Sequence, residues 1–164
     1  MRRLLYPIQL MVLLALLAGC AQPALRPDPT ASFWQGRLAL RVDSQPVQSL
    51  SASFELQGSA ARGSLLLLGP LGQAVARLDW QPGRAILSDS NGVRRFDSID
   101  DLLTQSLGTT LPVSALFEWL AGREAVAPGW QADLSELKQG RLGARRVQPA
   151  PVAELRLLIE QATP

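Results

Sequence analysis

The chain has 164 residues, 47% of them hydrophobic, with 16 Lys plus Arg against 14 Asp plus Glu. It has no histidine and one cysteine, which excludes a Ser-His-Asp triad and an internal disulfide and removes the commonest zinc ligands and general base. Arg2 and Arg3 account for the excess positive charge, so the rest is neutral and gives no argument for nucleic-acid binding.

Those two arginines open a segment that is wholly apolar at 10–17 and closes with Leu17-Ala18-Gly19-Cys20. Residues 1–19 read as a secretory signal peptide whose apolar core is too short to span a bilayer. The ending resembles a bacterial lipobox, so Cys20 is the expected lipidation site. Residues 20–31 carry Pro23, Pro27 and Pro29 without apolar periodicity, the pattern of a lipidated N-terminus on a Pro-rich tether. A single domain is expected over 32–164.

Strand signals come first. Trp34, Leu38, Leu40 and Val42 alternate with Gln35, Arg37 and Arg41, and Gly36 on the apolar side marks a bend or a close backbone approach. Leu50, Ala52, Phe54 and Leu56 then alternate with Ser49, Ser51, Ser53 and Glu55. Leu65-Leu66-Leu67-Leu68 does not alternate, which predicts burial on both faces. It runs into Gly69-Pro70-Leu71-Gly72, a turn that should carry Leu71 at the surface. Ala74, Ala76, Leu78 and Trp80 form the next apolar face, and Asn91-Gly92 joins two short strands as a hairpin. Regular spacing of short strands predicts an antiparallel meander that curls.

The period then changes to 3.6. Ser98 is a helix cap followed by Asp100 and Asp101, and Ile99, Leu102, Leu103 and Leu107 make one stripe ended by Gly108. A second helix is expected from Leu111-Pro112, with Val113, Leu116, Phe117 and Leu120 as its stripe and Gly122 as its stop. Weaker strand signals follow at 130–137, at a polar stretch 141–147, and at 154–160 with Leu155, Leu157 and Ile159 inward. The expected fold class is α+β: a curved antiparallel sheet forming an unclosed β-barrel, with short helices covering its apolar concave side.

Chemistry is limited by what is missing. Ser135-Glu136-Leu137-Lys138 matches Ser-x-x-Lys, but its partner motifs are absent. Asp100 and Asp101 are adjacent on a helix and diverge, as a solvated helix start does. Enzyme activity and a cofactor are not expected. Trp34, Leu38, Leu40, Phe54, Leu66, Leu68, Leu78, Leu116, Phe117 and Leu120 are candidates either for a plain core or for the lining of an apolar cavity. The same residue types serve both, so both readings stand.

Several pieces in order resemble the LolB family: the lipobox cysteine, Trp34 with Gly36-Arg37-Leu38-Ala39, Ser51-Ala52-Ser53-Phe54, and the leucine run into Gly69-Pro70-Leu71-Gly72. The Asn91-Gly92 hairpin and Leu111-Pro112-Val113 through Trp119-Leu120-Ala121-Gly122 continue the likeness. The resemblance implies an apolar-lined, helix-lidded, unclosed barrel. It further implies an outer-membrane receptor, facing the periplasm, that accepts lipoproteins from the LolA carrier. Their acyl chains would occupy the cavity and then enter the phospholipid inner leaflet, without ATP. A protruding leucine serves insertion in that family, and Leu71 holds the matching place. Ala21 after the cysteine is consistent with outer-membrane sorting. A monomer with no nucleic-acid partner is expected. The stretch 123–164 is shorter than is usual in the family, which predicts fewer strands, a shallower cavity and a more open side. The alternative is an envelope lipoprotein with a structural or assembly role and a filled core.

Overall fold

Nine strands form one antiparallel sheet in the computed structural model, which describes residues 32–160. The signal peptide, Cys20 and the tether fall outside the described residues. In chain order the elements are β1 (Ser32–Val42), β2 (Gln48–Gly58), β3 (Gly63–Leu68), β4 (Ala74–Gln81), β5 (Arg84–Asp89), β6 (Gly92–Phe96), α1 (Ile99–Leu107), α2 (Val113–Leu120), β7 (Trp130–Asp133), β8 (Arg141–Arg146) and β9 (Ala153–Ile159). In space the order is β6-β5-β4-β3-β2-β1-β9-β8-β7. The architecture is the α+β one expected from the sequence, an open curved sheet with two short helices.

Register lines the apolar positions into rows. One row runs Trp34, Leu56, Leu65, Leu78, Leu87, Arg94 across six strands, and the next runs Gly36, Phe54, Leu67, Ala76, Asp89. The C-terminal strands extend this face through Leu38, Leu157, Leu142 and through Leu40, Leu155, Ala144. Paired residues point to the same side and neighbours along a strand to the other, so these rows form one wall. The row between the first two reads Gln35, Glu55, Leu66, Arg77, Ser88, Val93 and belongs to the outer face.

The leucine run therefore is not buried on both faces, contrary to the sequence expectation. Leu67 is buried, whereas Leu66 and Leu68 are half-buried on the convex face, Leu66 between Glu55 and Arg77 and Leu68 between Ser53 and Ala74. Alternation in β2 and β4 imposes its parity on the strand between them.

β1 is central, pairing with β2 along its whole length and with β9 from Gly36 to Val42. Gly36 makes the second pairing possible: a Cβ there would lie 1.9 Å from the Leu158 carbonyl oxygen.

The helices follow their sequence signals closely. Ser98 Oγ accepts the Asp101 N–H at 3.0 Å, and Gly108 ends α1 at φ 65°. Pro112 precedes α2 at the cap position, so that helix starts at Val113. In α2, Trp119 is almost fully buried and donates from Nε1 to the Ala125 carbonyl at 3.0 Å. β8 is not the polar strand expected, because Leu142, Ala144 and Arg146 all face inward and are buried.

Arg146 is 4% exposed, with its guanidinium 5.9 Å from the centre of the Trp130 ring. Nη1 donates to Thr110 Oγ1 at 3.1 Å, and Nη2 donates to Thr109 Oγ1 and, at 3.1 Å, to the Pro151 carbonyl. Burial lowers its pKa from the ordinary arginine value, yet guanidinium stays charged. The group ties the linker between the two helices to the sheet.

Gly36→Ala should cost about 2–4 kcal/mol, read from the urea midpoint, because backbone must move. Gly83→Ala, whose Cβ meets open space at φ 74°, should lose only about 1–2 kcal/mol. Arg146→Lys should lose about 1.5–3 kcal/mol, since one ammonium cannot reproduce the planar fork. In Arg146→Lys, amide exchange should quicken over 108–111 more than in β1 and β2.

Candidate functional site

A cavity of about 300 Å³ lies between the concave wall and the helices. Its wall is made by Leu56, Leu65, Leu78 and Leu87 of the first row and by Phe54, Leu67 and Ala76 of the second. Leu38, Leu40, Leu155 and Leu157 continue it on β1 and β9, with Leu50 on β2. Leu102, Leu103 and Leu107 of α1, Leu111 of the linker and Leu116 of α2 roof it. A volume of this size falls at the lower end of small-molecule sites, and such sites are mostly apolar.

Of the residues singled out from the sequence, Leu38, Leu40, Phe54, Leu78 and Leu116 meet in this cavity. Leu66 and Leu68 do not: they stand on the convex face, one residue out of phase with the lining pair Leu65 and Leu67. Trp34 and Phe117 do not line it either. Phe117 packs edge-to-face on Trp34 at 5.5 Å and on Trp80 at 6.3 Å, beside the cavity. Successive helix positions diverge by about 100°, so Leu116 and Phe117 serve different neighbours. Leu120 is buried in the core without reaching the cavity.

Sequence reading missed much of the lining. The partners of Leu78 across the sheet, Leu65 and Leu87, follow from register, which the sequence alone does not give. Three polar residues also line the cavity: Asp89, Arg94 and Ser106. Arg94 Nη2 meets Asp89 Oδ2 at 2.8 Å, and the Asn91 N–H donates to Asp89 Oδ1 at 2.8 Å. The Asn91 N–H first, and Arg94 after it, hold the Asp89 carboxyl below its ordinary value against the opposing effect of burial.

The second feature is the β3–β4 loop. Gly72 N–H donates to the Gly69 carbonyl at 2.9 Å, closing a four-residue turn with Pro70 and Leu71 at its centre. Pro70 presets φ for the first central position of such a turn. Gln73 braces it: its carbonyl accepts the Gly69 N–H at 2.9 Å, and its Oε1 accepts the Leu71 N–H at 3.1 Å. Leu71 is 91% exposed at the tip. Register places this loop at the same end of the sheet as the β5–β6 tip, since Leu68 faces Ala74 and Ala76 faces Asp89. Among the described residues no helix is long and apolar enough to cross a membrane.

Known proteins are similar to this chain over most of its length. The family model described as "Outer membrane lipoprotein LolB" matches residues 33–153. An "Outer-membrane lipoprotein LolB" of Bordetella petrii is 34% identical over an alignment of 177 residues, covering 91% of this chain and 89% of that protein. One from Ralstonia nicotianae is 36% identical over 152 residues, covering 85% of this chain and 71% of the relative. One from Halorhodospira halophila is 38% identical over 109 residues, covering 66% of this chain but only half of the relative's length. With the family match running from β1 into β9 and the first of these relatives aligned along nearly its whole length, the chain belongs to the LolB family of outer-membrane lipoproteins.

Proposed function

We propose that this protein is an outer-membrane receptor for lipoproteins, anchored through lipid on Cys20 after removal of residues 1–19. The domain at 32–164 hangs on the tether at 20–31. It receives a lipoprotein from a LolA-like periplasmic carrier, holds the acyl chains in the cavity, and inserts them into the inner leaflet of the outer membrane. The observation that carries this reading is the leucine-lined cavity roofed by α1 and α2 in a chain that also presents Leu71 on a braced loop.

Energetics favour enclosure. Each acyl methylene gains about 0.8 kcal/mol on leaving water, so one long chain exposed during transfer would cost on the order of 10 kcal/mol. A receptor must accept the chain directly from another apolar cavity. Transfer without ATP then runs down a gradient of affinity from carrier to receptor to bilayer. Leu71 adds about 1.5–3 kcal/mol when buried in lipid. That suffices to bias the loop toward the bilayer while the lipid on Cys20 supplies the anchoring.

The monomeric protein should take up a fluorescent fatty-acyl probe saturably, and absence of uptake would favour a structural lipoprotein with no ligand. Leu71→Glu should leave the circular dichroism spectrum and capture of lipoprotein from the carrier unchanged. It should slow release into phospholipid vesicles roughly 10–100-fold, the equivalent of losing one leucine's burial. Release at the wild-type rate would remove the loop from the mechanism.

A further inference from the structure

We infer that the cavity recognises the neutral carbonyl groups at the head of an acylated ligand, through Arg94 and Ser106, in addition to its hydrocarbon. This rests on the receptor reading and assigns the ligand chemistry of the same site. The residues that line the cavity are apolar except for Asp89, Arg94 and Ser106. Two of the three are paired with each other, and the third is an unpartnered hydroxyl on the helix that roofs the same cavity. Asp89 is the last residue of β5, Arg94 lies on the adjoining β6, and α1, which packs on both strands, carries Ser106 one residue from its end. β6 is an edge of the sheet, so the Asp89–Arg94 pair is at the rim of the wall.

Each group has bonding capacity left over. Ser106 Oγ is buried and has no hydrogen-bond partner. Serine within a helix can return its O–H to the carbonyl four residues earlier, and Ser106 does not. Its position on the apolar stripe, three and four residues after Leu103 and Leu102, turns the hydroxyl toward the cavity. The Arg94 bond to Asp89 uses one of five guanidinium N–H donors. Asp89 is the more enclosed partner, its side chain 15% exposed against 47% for Arg94, and fixes the guanidinium from the hairpin side.

The pair also selects the kind of acceptor. Asp89 neutralises Arg94, so an anionic carboxylate gains little net attraction and meets a fixed negative charge nearby. A neutral ester or amide oxygen needs only the donors. Such oxygens stand where each acyl chain joins its head, so chains laid along the leucine wall bring them to a polar rim. Acylated lipoproteins and phospholipids both carry this chemistry.

The test is displacement of a fluorescent acyl probe from the full mature protein by methyl laurate, dodecane and laurate. One added hydrogen bond is worth about a two- to tenfold change in affinity, so methyl laurate should compete at least that much better than dodecane. Ser106→Ala and Arg94→Gln should each shrink the preference while leaving dodecane competition unchanged. Ser106→Ala removes only an unpaired hydroxyl, so it keeps the test decisive if Arg94→Gln fails to fold. Equal competition by ester and alkane, survival of the preference in both variants, or laurate outcompeting its ester would each overturn the inference while leaving the apolar cavity standing. Failure of every competitor and of the probe itself would overturn the receptor reading along with it. Competition by a diacylated lipopeptide and by a phospholipid with matched chains identifies the source, and weaker competition by either against Ser106→Ala than against the wild type supports carbonyl recognition.

Discussion

Everything in this molecule hangs on β1. Six strands lie in sequence order on one side of the sheet, and the last three reach it from the other. They can join only if β9 lies against β1, and that pairing requires the backbone of Leu158 to approach Gly36 more closely than any side chain allows. Through it, Leu155 and Leu157 take their places opposite Leu40 and Leu38 and complete the leucine wall. The C-terminal strands, short as they are, thus contribute to the cavity itself.

The roof is held differently from the wall. At one end Phe117 is gripped by Trp34 and Trp80, and at the other Arg146 binds Thr109 and Thr110 in the linker between α1 and α2. Between these fixed points the helices span the wall without filling the space beneath. Unfilled apolar space costs a fold stability through the contacts its lining forgoes. Larger side chains at Ala76 or Ser106 would relieve part of that cost. A sequence selected for stability alone has no reason to keep such a space lined with leucine, which argues against the filled core of a purely structural lipoprotein.

How much of this was legible depended on whether a stretch carried phase. β1, β2 and β4 alternate cleanly, so Leu38, Leu40, Phe54 and Leu78 were placed on the correct face from sequence. β3 has four leucines and no phase of its own, and Leu66 and Leu68 were put in the cavity where Leu65 and Leu67 belong. Its neighbours settle the matter through register, which needs the pairing to be known. Helix ends were legible because Ser98 and Gly108 act locally. Arg146 was hidden by its chemistry: a charged residue in a short arginine-rich strand reads as solvent-facing, and only Trp130, Thr109, Thr110 and Pro151, distant in sequence, make its burial tolerable. Ser106 had a signal that went unused, its helical spacing from Leu102 and Leu103.

The two ends of the wall have opposite character, and this gives the proposed transfer a direction. At one end Phe117 of α2 packs on Trp34 and Trp80, three aromatic rings that lie beside the cavity without lining it. At the other, the Asp89–Arg94 pair lies on the β5–β6 hairpin. Leu71 projects into solvent from the neighbouring β3–β4 loop at that same end. Chains entering tail-first toward the aromatic end would leave their polar junction at the rim, next to a loop whose tip presents an exposed leucine. On the proposed reading, withdrawal into the bilayer reverses the entry path, and the head group never has to cross the apolar interior.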